Sequence, residues 1–132
     1  VRSLLGLACW VMTSAIASAQ EPLDFNRDIR PILSENCFYC HGQDPNKRQG
    51  ELRLDVRDEA VKKGAVTPGD ASKSSLIARI HATDADEMMP PPKSNRRLSA
   101  EQKKLLERWV TEGANYQTHW AYVVPKRPPE PE

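Results

Sequence analysis

Two cysteines three positions apart, Cys37 and Cys40, are followed directly by His41 and Gly42. Cys-x-x-Cys-His is the spacing that attaches haem covalently. Two intervening residues put both sulfurs on one side of a single helical turn, where each reaches one of two neighbouring vinyl groups on the porphyrin edge. The next residue projects its imidazole under the macrocycle as proximal iron ligand. Gly42 lets the chain leave that crowded turn at little steric cost. The same thiols have other readings. A thioredoxin-like site needs a preceding strand, whereas Asp28-Ile29-Arg30-Pro31-Ile32-Leu33 reads as helix. A zinc-binding, non-redox interaction module would use Cys37, Cys40 and His41 with His81 as a fourth donor, but it usually takes a second close ligand pair, and there is none. A single disulfide across two residues would constrain the unfolded chain very little.

A second donor lies in Met88-Met89-Pro90-Pro91-Pro92. Consecutive prolines fix φ and remove backbone donors, which predicts an exposed polyproline-like segment. A methionine thioether is a weak iron ligand that binds reliably only from a loop held in place, and prolines lower the entropy lost in holding it. Met89, directly before the prolines, is the expected distal ligand. Met88 and His81 compete for that role, and the alternative is that both methionines fill gaps or sit on the surface.

The elements that must position these groups are helical. Asp24 is placed to cap a helix over 25–36, with Phe25, Ile29, Ile32 and Leu33 on one face; Pro31 predicts either a kink or a helix that truly begins near it. Asp44-Pro45-Asn46 signals a turn. Gly50-Glu51-Leu52-Arg53-Leu54-Asp55 reads as an extended loop packing Leu52 and Leu54 on the cofactor. Asp55 is the expected cap of a short helix from Val56 to Lys63, ended by Gly64. Thr67-Pro68-Gly69-Asp70 is a turn; Ser72 or Ser74 opens a helix that buries Leu76, Ile77 and Ile80 and ends near His81 or Ala82. The clearest helix starts at a capping box of Ser99 and Gln102, with Leu98 as staple, buries Leu105, Leu106, Trp109 and Val110, and stops at Gly113. His119 is most simply a surface residue.

The chain has 132 residues, a formal net charge of +1 and three cysteines. Length predicts one small domain. The opening stretch reads as an export signal: Arg2, then an apolar run from Leu4 to Ile16, then the small residues Ala17-Ser18-Ala19, with cleavage before Gln20. The run is too short to span a membrane comfortably, and Cys9 lies too early in it, after Gly6-Leu7-Ala8, for a lipidation signal. Removing residues 1–19 takes away Cys9 and Arg2, which leaves the two cysteines of the haem motif and equal numbers of acidic and basic side chains. Such a balance argues against nucleic acid as partner. The expected organisation is a signal over 1–19, a domain over 20–122 and a Pro-rich linker or tail over 123–132, a composition expected where a module leads into something longer. With only two Phe, three Tyr and three Trp, a conventional core would be thin, and a large flat apolar cofactor would supply its centre.

As a whole the pattern resembles the planctomycete-type cytochrome c domain, a relative of small class I c-type cytochromes, over about residues 23 to 122. The resemblance rests on Asp28 to Leu33 before the haem motif and Gly50 to Asp55 after it. Pro68-Gly69-Asp70 with Ser74-Ser75-Leu76-Ile77, Met89-Pro90-Pro91, and Leu98-Ser99 with Trp109 to Ala114 complete it. It implies an all-α fold of about four helices around one covalently bound haem c, the first and last helices crossing near it. By position it makes Cys37 and Cys40 the thioether residues, His41 the proximal and Met89 the distal ligand. The expected role is one-electron transfer to an unidentified redox partner or to attached domains, by an electron carrier rather than an enzyme. The expected setting is periplasmic or otherwise extracytoplasmic, with no membrane span after signal cleavage.

Overall fold

A computed structural model describes residues 21–125; the expected signal over 1–19 and the end of the Pro-rich tail lie outside the described residues. Among the described residues there is no strand, so the domain is all-α as expected. The chain runs through a π-helical turn Phe25–Ile29, then α1 (Arg30–Asn36), α2 (Phe38–His41), α3 (Arg57–Lys62), α4 (Ser75–His81) and α5 (Ala100–Thr111), with short 3-10 turns at Ala71–Lys73, Pro92–Ser94 and Trp120–Tyr122.

The single helix expected over 25–36 divides because of Pro31. Asp24 caps the entry, its carboxylate accepting from the Arg27 N–H at 2.8 Å. The Arg30 N–H then reaches back five residues to the Phe25 carbonyl, a π-register bond. Pro31, with no N–H to give, falls in the first turn of α1, where none is needed. A second break at Cys37 separates α1 from α2.

Other local expectations are met through different groups. Asp55 does not cap α3: Val56 holds that position without a side-chain bond, because the Asp55 carboxylate is held by the Arg53 guanidinium at 2.5 Å. Ser74 is the N-cap of α4, yet its hydroxyl serves the preceding turn, accepting from the Thr67 N–H and donating to the Asp70 carbonyl, both at 2.8 Å. The polyproline expectation holds only at Pro91; Pro90 is buried after a cis peptide bond to Met89, and Pro92 opens a 3-10 turn. The Ser99–Gln102 capping box forms in both directions, and Gly113, at φ +104, ends α5 with the Ala114 N–H bonded back to the Trp109 carbonyl at 2.9 Å.

The core lies where the opening π-helical turn and α4 pack against α5. Phe25, Ile29 and Leu33 meet Leu106, Trp109 and Val110, while α4 adds Leu76, Ile77 and Ile80. Phe25, Trp109 and Tyr116 form an aromatic triangle with ring centroids 4.6–5.7 Å apart. The indole N–H of Trp109 is satisfied by the Asn115 carbonyl at 3.0 Å. No helix among the described residues is long and apolar enough to cross a membrane.

Candidate haem site

The haem motif occupies the break after α1 and the single turn of α2. The Cys37 N–H closes α1 on the Leu33 carbonyl, and its own carbonyl starts α2 by accepting from Cys40 at 3.1 Å and His41 at 2.8 Å. The two thiols are therefore carried by one turn. They are not joined to each other: Cys37 is buried and Cys40 partly exposed, both as free thiols. Burial pushes the Cys37 thiol up to about 12, against the opposing charge of Arg96.

Gly42 is required by space. Its backbone, at φ −124, suits any residue, but a Cβ there would fall 2.2 Å from the Phe38 carbonyl oxygen. The chain can turn out of α2 only where no side chain blocks that oxygen. The loop that follows folds back over the motif: the Gln49 N–H donates to the Cys40 carbonyl and the Leu54 N–H to the His41 carbonyl, each at 2.8 Å. Arg48 fastens the bend by donating to the Gly42 and Gln43 carbonyls, both at 2.9 Å.

That loop also orients the imidazole. The His41 Nδ1 lies 3.2 Å from the Gln49 carbonyl oxygen. A carbonyl only accepts, so Nδ1 carries the proton and Nε2 keeps its lone pair, the arrangement in which a metal-ligating histidine is held by a second partner. Burial lowers the His41 pKa; the Gln49 bond opposes this and the charge of Arg79 reinforces it. The ring is thus held neutral.

Two adjoining cavities meet at this imidazole. One, about 560 Å³ with its open mouth, is walled by Cys37, Cys40, His41, Leu76, Ile80, Met89 and Pro90, among others. The other, about 310 Å³ with its open mouth, lies among His41, Leu52, Leu54, Ala65, Leu76, Arg79 and Met89. Leu52 and Leu54 thus share this second cavity with His41 and Met89. Of the three candidate distal ligands, Met89 alone lines a cavity with His41, and it lines both. Met88 lines a separate outer groove, and His81 is held 2.5 Å from Glu107.

The Met89 loop is tied to α4. The Met89 N–H donates to the Arg79 carbonyl at 3.0 Å, while the Arg79 guanidinium bonds both the carbonyl and the carboxylate of Glu87 at 3.2 Å. Sequence reasoning missed Arg79, as it missed Gln49, Tyr116 and Arg96. Tyr116 donates to the Leu54 carbonyl; Arg96 donates to the Glu35 carbonyl at 3.0 Å and lies 4.9 Å from the centre of the Tyr39 ring. Each acts through a backbone carbonyl or a contact distant in sequence, for which no local pattern exists. His119 is only partly exposed, its Nδ1 accepting from the Ala121 N–H at 3.1 Å.

The donor set fits a haem: one neutral imidazole with Nε2 unprotonated, one thioether residue lining the same apolar space, and two thiols on its wall. It does not fit zinc, since among the described residues no three His, Cys, Asp or Glu side chains are grouped as a metal ion would need. Residues 37–93 match the family model of planctomycete cytochrome C. The match opens on Cys37 and closes just beyond the prolines, so it includes every proposed cofactor-binding residue and leaves α1 and α5 outside it. No curated protein and no solved structure matches the chain.

Proposed function

We propose, from the match of residues 37–93 to the family model of planctomycete cytochrome C, that the chain is a mono-haem c-type cytochrome module that carries single electrons. A cytochrome c domain implies haem c, and the finer reading is that Cys37 and Cys40 each hold it by a thioether while His41 and Met89 are its axial ligands. The observation that carries this is the shared lining: His41 and Met89 face the same two cavities, with Cys37 and Cys40 on the wall of one.

When bound, the haem supplies the Fe(III)/Fe(II) couple. The protein's part is to hold it. Gln49 fixes the ring of His41, Arg79 fixes the loop of Met89, and Leu52, Leu54, Leu76 and Ile80 exclude water from the space between. Were the imidazole of His41 and the thioether of Met89 both to bind its iron, no position would remain for oxygen or peroxide, and the potential would lie above that of bis-histidine ligation. The module is therefore an electron carrier; its partner meets it in a small, transient contact. Haem attachment through thioethers accords with export, with the domain over 20–122 maturing after loss of residues 1–19.

The test is a visible spectrum of exported protein before and after dithionite, with a pyridine haemochrome assay. One haem c per chain is expected. Met89→Ala should then remove the thioether-to-iron absorption and lower the potential; an unchanged spectrum and potential would dismiss Met89 as ligand.

A further inference from the structure

The charges that nearly balance over the whole chain separate sharply beside Met89. From 93 to 104 the sequence holds Lys93, Arg96, Arg97, Lys103 and Lys104 against Glu101 alone. Elsewhere several Lys and Arg residues form ion pairs, as in Arg27–Asp28, Arg53–Asp55, Lys73–Asp70 and Arg108–Glu112. None of these five does so with a carboxylate among the described residues, and the nearest upstream carboxylate, Glu87, is taken by Arg79.

Three of the five, Arg96, Arg97 and Lys103, rim a groove of about 810 Å³ with its open mouth. Its floor is apolar, built from Ile80, Met88, Pro90 and Leu98, and no carboxylate lines it. Met89, Pro90, Ile80 and Arg96 also belong to the cavity that holds Cys37, Cys40 and His41. The groove and the cavity beside His41 therefore share these four residues as walls.

We propose that this groove is the docking surface for the acidic face of a one-electron carrier protein, an apolar side chain of which enters the groove while its carboxylates meet Arg97 and Lys103. The proposal rests on the function above and names the face and the sign of the partner. An acidic protein suits the site better than an anionic membrane: the apolar floor is recessed behind the cations, a shape for a protruding side chain and not for a flat layer of headgroups. Charges at the rim of such a contact act mainly on the encounter rate. One electron passes between the centres, the one oxidised as the other is reduced, with no bond or proton moved.

The test uses haem-loaded full chain and, as probe, a blue-copper protein with an acidic face, Cu(I) becoming Cu(II) as the iron is reduced. Lys103→Glu and Arg97→Glu should each slow the second-order rate about tenfold at low salt and flatten its salt dependence. Lys62→Glu on α3, which makes the same charge change outside the groove, should leave the rate within about twofold. Equal rates for Lys103→Glu and Lys62→Glu, at equal haem content and melting temperature, overturn the docking surface and leave the function standing. So does a Lys103→Glu variant that loses binding to phosphatidylglycerol vesicles while its electron-transfer rate is unchanged. A chain exported without haem overturns the function, and the docking surface with it.

Discussion

Tyr116 donates its phenolic O–H to the Leu54 carbonyl at 2.9 Å, bridging 62 residues of sequence. The bond joins the segment after α5 to the loop beneath His41, and its ring stacks into the Phe25–Trp109 triangle. Burial pushes the phenol well above its ordinary range. Tyr116→Phe keeps the ring and removes the bond, leaving the Leu54 carbonyl without this donor. A loss of about 1 kcal/mol is expected, read by urea unfolding. Exchange of the Leu54 amide, bonded to the His41 carbonyl, should quicken more than that of amides inside α5. Uniform acceleration would show that Tyr116 acts on global stability alone.

Gly42→Ala should be worse than its size implies. The added methyl meets the Phe38 carbonyl oxygen at 2.2 Å and the carbonyl carbon at 3.1 Å, both backbone, so α2 itself must open. Overpacking of this kind costs about 1–3 kcal/mol. The haem motif sits in that turn, so the yield of haem-loaded protein should fall with stability. Gly64→Ala is the comparison: no atom lies within 4 Å of its Cβ, and only the left-handed φ of +67 opposes it. Equal haem yields for the two would remove the steric argument.

The haem motif, the apolar faces of α4 and α5 and the Ser99 capping box were legible because each is a local pattern with one physical solution. Pro31 announced a disturbance, but not that a π-register bond would absorb it. Asp55 has a cap's chemistry and stands where a cap belongs, yet Arg53, two residues away, takes its carboxylate. The three prolines read as uniform because their shared constraint is on φ, whereas tertiary packing buries Pro90 and turns the chain at Pro92. Arg79 and Arg96 were invisible as site residues: both act where distant segments meet. The basic run from Lys93 to Lys104 was in plain view, but the near-neutral total concealed it.

The buried Cys37 thiol makes the haem-free chain sensitive to base. Its pKa is raised from 9.0 to about 12, so the fold disfavours the thiolate. The corresponding stability is complete below 9, where both states hold the proton, and is lost as pH rises towards 12. Over that window unfolding should become easier by about 1.4 kcal/mol for each pH unit. Cys37→Ser should flatten the curve between pH 9 and 10, before Tyr116 adds its own loss. At pH 8 an alkylating reagent should label the partly exposed Cys40 well before Cys37. Equal labelling rates would show that Cys37 is not shielded.

Arg79 clamps the loop that presents Met89, and the clamp has separable parts. The Met89 N–H bonds the Arg79 backbone carbonyl and survives any side-chain change, whereas the guanidinium holds Glu87 at both its carbonyl and its carboxylate. Arg79→Ala removes only the second part. The pair is exposed, so the stability lost should be small, within about 1 kcal/mol. The effect on Met89 should be larger in kind: a loop less firmly held presents a weak thioether ligand less reliably. In haem-loaded protein the thioether-to-iron absorption should fade at lower temperature than in the wild type, while the two thioethers keep the haem in place. Glu87→Gln retains the contact with the Glu87 carbonyl and should lie between the two. If Arg79→Ala left that thermal transition where it was, the backbone bond and the prolines would be sufficient to hold Met89, and the guanidinium would serve only the surface.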